Sequence, residues 1–91
     1  MSEPSGVRVE VTSRFQRSFG TLSPALQRLT TERIALFAAT PFAPRLRTHK
    51  LRGTLKDFWS FSVTDAHRIL VTFPQPGVAL LQDVGTHDIY R

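Results

Sequence analysis

Between Arg45 and Lys56 the chain places Arg45, Arg47, Lys50, Arg52 and Lys56 around His49, with no acidic residue among them. His67 and Arg68 then open an apolar run, and the C-terminus reads Gly85-Thr86-His87-Asp88-Ile89-Tyr90-Arg91. If the apolar runs are neighbouring strands of one sheet, His49, Lys50, Arg68, His87 and Tyr90 converge on one surface. Such a set suits a phosphodiester. Breaking RNA needs a base for the 2′-OH, an acid for the departing 5′-oxygen and cationic donors for the crowded phosphate. Histidine serves either proton-transfer role near neutral pH, and arginine and lysine grip phosphate. His49, His67 and His87 have no short ligand spacing of the His-x-x-x-His kind, and the chain has no cysteine. No metal site, thiolate zinc site, disulfide or other cofactor is therefore expected.

The elements that must carry these residues follow from periodicity. Val7, Val9 and Val11 alternate with Arg8 and Glu10, as in a half-buried strand. Thr12 or Ser13 can cap a short helix that sets Phe15 and Phe19 one turn apart, and Gly20 weakens its end. Ser23-Pro24 joins a capping hydroxyl to a proline at the first helical position, and Pro41 with Pro44 stops the helix near Thr40. Its apolar side holds Ala25, Leu26, Leu29, Ile34, Leu36 and Phe37. Arg33 falls inside that side, either as a stem lying over apolar atoms or as a contact left for a partner chain.

Three strand-like runs follow the basic segment. Trp59, Phe61 and Val63 alternate with Phe58, Ser60 and Ser62; Ile69, Val71 and Phe73 alternate with Arg68, Leu70 and Thr72; residues 78–84 are apolar almost throughout, as in a central strand covered on both faces. The predicted order is β-α-α-β-β-β. This is a small α+β domain over residues 7–91, behind a flexible tail at 1–6, with an antiparallel sheet packed on one face by the two N-terminal helices. Parity then sends Arg68 to the face away from the helices, with Leu70, Phe58, Ser60 and Ser62. That face is expected to be open and able to bind something.

Composition narrows the partner. Ninety-one residues make one domain, and 41% apolar with 21% charged residues describes a folded chain. Net charge is +5, and ten of the twelve Lys/Arg are arginine, which suits a polyanion or an acidic protein. No stretch approaches the roughly 18 apolar residues of a membrane span. The polar N-terminus lacks the pattern of a signal peptide, so a cytoplasmic protein without membrane association is expected.

With His49-Lys50-Leu51-Arg52-Gly53, Arg68-Ile69-Leu70-Val71 and the terminal Gly85-Thr86-His87-Asp88-Ile89-Tyr90 at these spacings, the chain from Val7 onward resembles the RelE/ParE toxin superfamily. It is most similar to the ribonuclease branch of RelE-, YoeB- and YafQ-like toxins. The resemblance implies the toxin of a type II toxin–antitoxin pair, which cuts messenger RNA on the ribosome without a metal. It also implies a cognate antitoxin that wraps and silences the toxin in a hetero-oligomer. Residue by residue, it implies catalytic roles for His49, Arg68, His87 and Tyr90. His87 and His49 would be the proton-transfer pair in either order, Arg68 the phosphate stabiliser, and Tyr90 a base-stacking or proton-assisting group. Arg45, Arg47, Lys50, Arg52 and Lys56 are the expected RNA-phosphate contacts.

The pattern departs from the family at two points. A histidine that YafQ-like toxins carry in the first meander strand is Ser62 here, and His67 occurs in the following turn instead, with one extra residue before it. The glutamate base of the YoeB type has no counterpart, the nearby carboxylates being Asp57, Asp65, Asp83 and Asp88. Structural roles also fit these positions: His87 bonded to Asp88, Tyr90 packed on the sheet, His67 turned to the core edge. The alternatives are a ParE-like gyrase inhibitor, whose members generally lack the His/Tyr set, and a weak remnant that only binds its antitoxin.

Overall fold

A computed structural model describes residues 6–90. Five strands and two helices follow in the order β1 (Arg8–Val11), α1 (Ser13–Gly20), α2 (Pro24–Ala39), β2 (His49–Lys50), β3 (Trp59–Ser62), β4 (Arg68–Gln75) and β5 (Val78–Gly85). Three 3-10 turns join them, at Pro44–Leu46, Gly53–Leu55 and His87–Tyr90. The tail expected at residues 1–6 lies, apart from Gly6, outside the described residues. Gly6 itself has its backbone against α2, where an added Cβ would stand 2.5 Å from the Ala38 carbonyl oxygen.

The sheet order is β1-β5-β4-β3-β2. β3 to β5 form the expected antiparallel meander and β2 extends it at one edge, but β1 joins parallel to β5, so the sheet is mixed and not the antiparallel sheet expected. The two-residue β2 is not apparent from periodicity, because two residues are too few to show alternation. No described helix is long and apolar enough to cross a membrane.

Local chemistry sets the helix boundaries where the sequence places them. Thr12 Oγ1 accepts the Phe15 amide at 3.0 Å and so caps α1. The same hydroxyl stands 3.1 Å from the Gln82 carbonyl, tying the start of α1 to β5 where β1 ends. Ser23 Oγ accepts the Leu26 amide at 3.2 Å with Pro24 opening α2.

The core lies between α2 and the sheet. Phe37 stacks on Phe61 with ring centroids 4.2 Å apart and planes 6° from parallel, and both rings are wholly buried. Ile69, Val71, Ala79, Leu81 and Val84 complete this layer. On α2 the expected apolar side is rotated slightly. Ala25 is exposed, and the buried stripe runs through Thr30 and Phe37. Thr30 is fully buried, and its Oγ1 has no hydrogen-bond partner among the described residues.

Two changes test this packing. Phe61→Ala removes half of the central stack and should lower unfolding free energy by about 3–5 kcal/mol. Thr30→Val replaces an unsatisfied hydroxyl by a methyl of the same shape and should raise it by about 1 kcal/mol. Urea denaturation midpoints at constant m-value check both.

Candidate active site

Strand register decides what the helix-free face carries. β3 pairs with β4 through Ser60↔Leu70, Phe61↔Ile69 and Ser62↔Arg68. Residues directly opposite in an antiparallel pair share a face, so Ser60, Ser62, Leu70 and Arg68 lie together, away from Phe37. His49 pairs with Ser60 and joins the same face at the sheet edge. Lys50 pairs with Trp59, whose ring meets Phe42 and Phe73 on the helix side. The register therefore turns Lys50 away from the histidines with which its sequence neighbourhood groups it.

β5 contributes through an irregularity. Leu70 pairs with Asp83 but Val71 pairs with Leu81, so Gln82 is an extra residue in β5. This β-bulge reverses parity along the strand. Ala79, Leu81 and Val84 all enter the helix-side core, while Asp83 reaches the opposite face beside Leu70. Asp83 is 5% exposed. Its Oδ2 accepts Arg14 Nε at 3.0 Å, and its Oδ1 accepts the Val84 amide at 2.9 Å. Arg14 lies 69 positions away on α1, and no local pattern in the sequence marks it.

Beyond β5 the 3-10 turn His87–Tyr90 folds back against β4 and β5. Tyr90 Oη and Ser60 Oγ stand 2.8 Å apart, one donating to the other. Ile89 is buried, and an added Cβ on Gly85 would meet Ile89 Cγ2 at 2.8 Å, so the absence of a side chain at Gly85 admits this return. The helix-free face is therefore partly roofed by the chain's own C-terminal turn, where parity alone suggests an open surface. Ser60 is fully buried and Leu70 is 6% exposed as a result.

Arg68 and His87 meet at the edge of that roof. They line a recess of about 180 Å³ with Thr86, Asp65 and Ala66. Arg68 donates from Nη1 to Ser62 Oγ and from Nη2 to the Asp65 carbonyl at 3.3 Å. Both partners are neutral, so the guanidinium is oriented without losing its charge to a carboxylate. The rings of His87 and Tyr90 stand edge to face, with centroids 5.8 Å apart. Arg68, His87 and Tyr90 thus form one group. His49 approaches it from the β2 edge, across Ser60.

His49 Nδ1 lies 2.8 Å from the Arg47 carbonyl. A carbonyl can only accept, so Nδ1 carries the proton in this bond. In the neutral ring Nε2 is then the free acceptor. His67 sits outside the group: its Nδ1 pairs with Thr64 Oγ1 at 3.2 Å within the β3–β4 turn, and its side chain is half-buried. Arg45 and Arg47 line a separate recess beside that turn, together with Arg33. Arg52 and Lys56 are exposed on the β2–β3 connection, and among the described residues no bond or recess links them to Arg68. No three His, Asp or Glu side chains among the described residues come together to hold a metal ion.

The serines on β3 are the site residues that sequence reasoning undervalues. Parity places Ser60 and Ser62 on the face of Arg68, yet their service as anchors for Tyr90 and Arg68 depends on the fold of the C-terminal turn. Tyr90→Phe should strand the buried Ser60 hydroxyl and cost about 1–2 kcal/mol. Adding Ser60→Ala should recover most of that deficit, with a coupling energy near ~1 kcal/mol in a double-mutant cycle.

No family model matches the sequence, and no curated protein sequence matches it. Solved structures do match the fold. The toxin–antitoxin complex RelBE2 from Mycobacterium tuberculosis aligns at 17% identity over 96% of this chain and 98% of that chain, with a TM-score of 0.78. The YoeB/ParE toxin from Agrobacterium tumefaciens aligns at 16% identity over 89% and 99%, with a TM-score of 0.73. The E. coli DinJ-YafQ toxin-antitoxin complex aligns at 12% identity over 92% and 96%, again with a TM-score of 0.73. The chain has the RelE/ParE toxin fold.

Proposed function

We propose that this chain is the toxin of a type II toxin–antitoxin pair and a ribosome-dependent endoribonuclease that cleaves messenger RNA in the cytoplasm without a metal. One observation carries the reading: Arg68 on β4 meets His87 and Tyr90 of the C-terminal turn on the face away from the helices. Arg68 and Tyr90 are held there by serine hydroxyls and a main-chain carbonyl. The fold shared with toxins solved in complex with their antitoxins supports an antitoxin as the protein partner.

In this mechanism His49 Nε2, the free acceptor of its ring, removes the proton from the ribose 2′-OH. The 2′-oxygen attacks the adjacent phosphorus, and the bond from phosphorus to the 5′-oxygen breaks. His87 gives the leaving oxygen its proton, and the products are a 2′,3′-cyclic phosphate and a 5′-hydroxyl. Arg68, held by Ser62 and Asp65, faces the charge that builds on the phosphate oxygens. Tyr90 is anchored through its hydroxyl, which leaves its ring to support a base and to position His87. The ribosome orients the message, so the isolated chain cleaves slowly.

Messenger RNA cleavage on programmed ribosomes tests this directly. The wild-type chain should cut within the A-site codon. Arg68→Ala should slow the cut by roughly 10²–10³-fold and His87→Ala by roughly 10²–10⁴-fold. Both variants should relieve the growth arrest caused by induced expression. An intact message with the wild-type chain, accompanied by gyrase-linked DNA breaks, would replace this mechanism by ParE-like gyrase inhibition. Intact message and no arrest would leave a chain that only binds its antitoxin.

A further inference from the structure

Beside the β3–β4 turn a second recess of about 200 Å³, separate from the one that Arg68 lines, gathers Arg33, Arg45 and Arg47 with Ser62 and Asp65. We propose that these three arginines form a second phosphate pocket, which holds the RNA backbone beyond the phosphate gripped by Arg68. The inference rests on the RNA reading above and specifies how the strand is held.

Each arginine is delivered by a different feature of the fold. Arg33 is half-buried on the inward stripe of α2, four residues before the buried Phe37 and three after the buried Thr30. Its stem lies over the core edge, so its head emerges at the end of β3. Arg45 belongs to the 3-10 turn Pro44–Leu46, which is pinned by the wholly buried Leu46. Arg47 follows in the left-handed region at φ 52°, where glycine or asparagine is the usual residue. The side chain held at that backbone cost lines a recess shared with two other cations.

Charge makes the pocket incomplete by itself. Among the described residues, none of the three guanidiniums has a carboxylate within salt-bridge distance. Asp65 is the one acid lining the recess, and it is exposed at the rim. Three cations against one carboxylate leave a net charge of about +2 to be met by a ligand. The Thr64 hydroxyl accepts the amides of Ala66 and His67 and pairs with His67 Nδ1, so the three guanidiniums are the charged donors of the recess. Planar arginine forks suit phosphate oxygens.

Asp65 lines this recess and the Arg68–His87 recess alike, so the two share the β3–β4 turn as a common wall. A single strand crossing that turn meets both, one phosphate on each side.

The test uses the full chain and 2′-O-methyl RNA, which cannot be cleaved, as a dinucleotide and as a hexanucleotide, with affinity read by fluorescence anisotropy across a salt series. Arg33→Gln combined with Arg47→Asn should weaken the hexanucleotide about tenfold and reduce its salt slope by about 0.7 for each phosphate no longer neutralised, with dinucleotide affinity unchanged. Arg45→Gln, at an exposed position outside the strands, should act in the same direction and serves if the double variant fails to fold. Arg28→Gln, which removes one charge elsewhere on α2 as Arg45→Gln does in the recess, should leave both affinities near wild type. Equal weakening for both lengths, no weakening for either, or no binding by the wild-type chain would overturn the pocket. So would a poly-glutamate peptide that competes as strongly as the hexanucleotide, which would assign the recess to an acidic protein segment. Ribosomal cleavage measured alongside separates the two readings: intact message with the predicted length dependence overturns the nuclease and keeps the pocket. Cleaved message with wild-type-like hexanucleotide binding by the variants does the reverse.

Discussion

Phe37 lies flat on Phe61, and that stack decides which way the side chains of β3 and β4 point. With Phe61 turned to α2, its strand neighbours Ser60 and Ser62 must face the other way, and pairing hands the same orientation to Leu70 and Arg68. A slip of one residue would bury a guanidinium beneath the helix and expose two aromatic rings. The hydrophobic layer therefore fixes the register, and the register fixes the chemistry. The candidate catalytic face is a consequence of the core on the opposite side of the same strands.

Two departures from regularity complete that face. The extra residue at Gln82 lets a strand that is apolar nearly throughout keep Leu81 and Val84 in the core and still turn Asp83 to the far side. Arg14 from α1 then closes on Asp83, which couples the first helix to the strand that leads into the C-terminal turn. The second departure is the 3-10 return at His87–Tyr90, admitted by the bare backbone of Gly85 and fastened by the hydroxyl pair of Tyr90 and Ser60. Without that return, His87 would extend past the end of the sheet instead of sharing a recess with Arg68. Each anchor pairs a buried group, Ser60 or Asp83, with a more exposed partner and so satisfies the buried polar atom while it holds orientation.

The distribution of cations follows the same logic. Arg68 is oriented by a serine and a carbonyl, while Arg33, Arg45 and Arg47 converge without carboxylate partners among the described residues. The two groups line separate recesses that adjoin at the β3–β4 turn through Asp65. Lys50, Arg52 and Lys56 stand apart from both, although they are contiguous in sequence with Arg45 and Arg47. Proximity along a loop is a poor guide to a surface, because strand alternation at β2 and the turn at Gly53–Leu55 send adjacent residues in different directions.

The sequence by itself determined the two helix starts, the three-strand meander and the face on which Arg68 lies. Each of these rests on local physics: a capping hydroxyl before proline, two-residue alternation, and turn residues between apolar runs. Tertiary structure alone decided the parallel docking of β1, the bulge at Gln82, the Arg14–Asp83 pair and the closure of the C-terminal turn over Ser60. A uniformly apolar strand carries no parity from which a bulge can be read. Bonds between residues about 30 or 69 positions apart leave no periodic trace in the chain. The same limit holds for the arginine recess: Arg33 is anomalous on an apolar helix side, and only folding sets it beside Arg45 and Arg47.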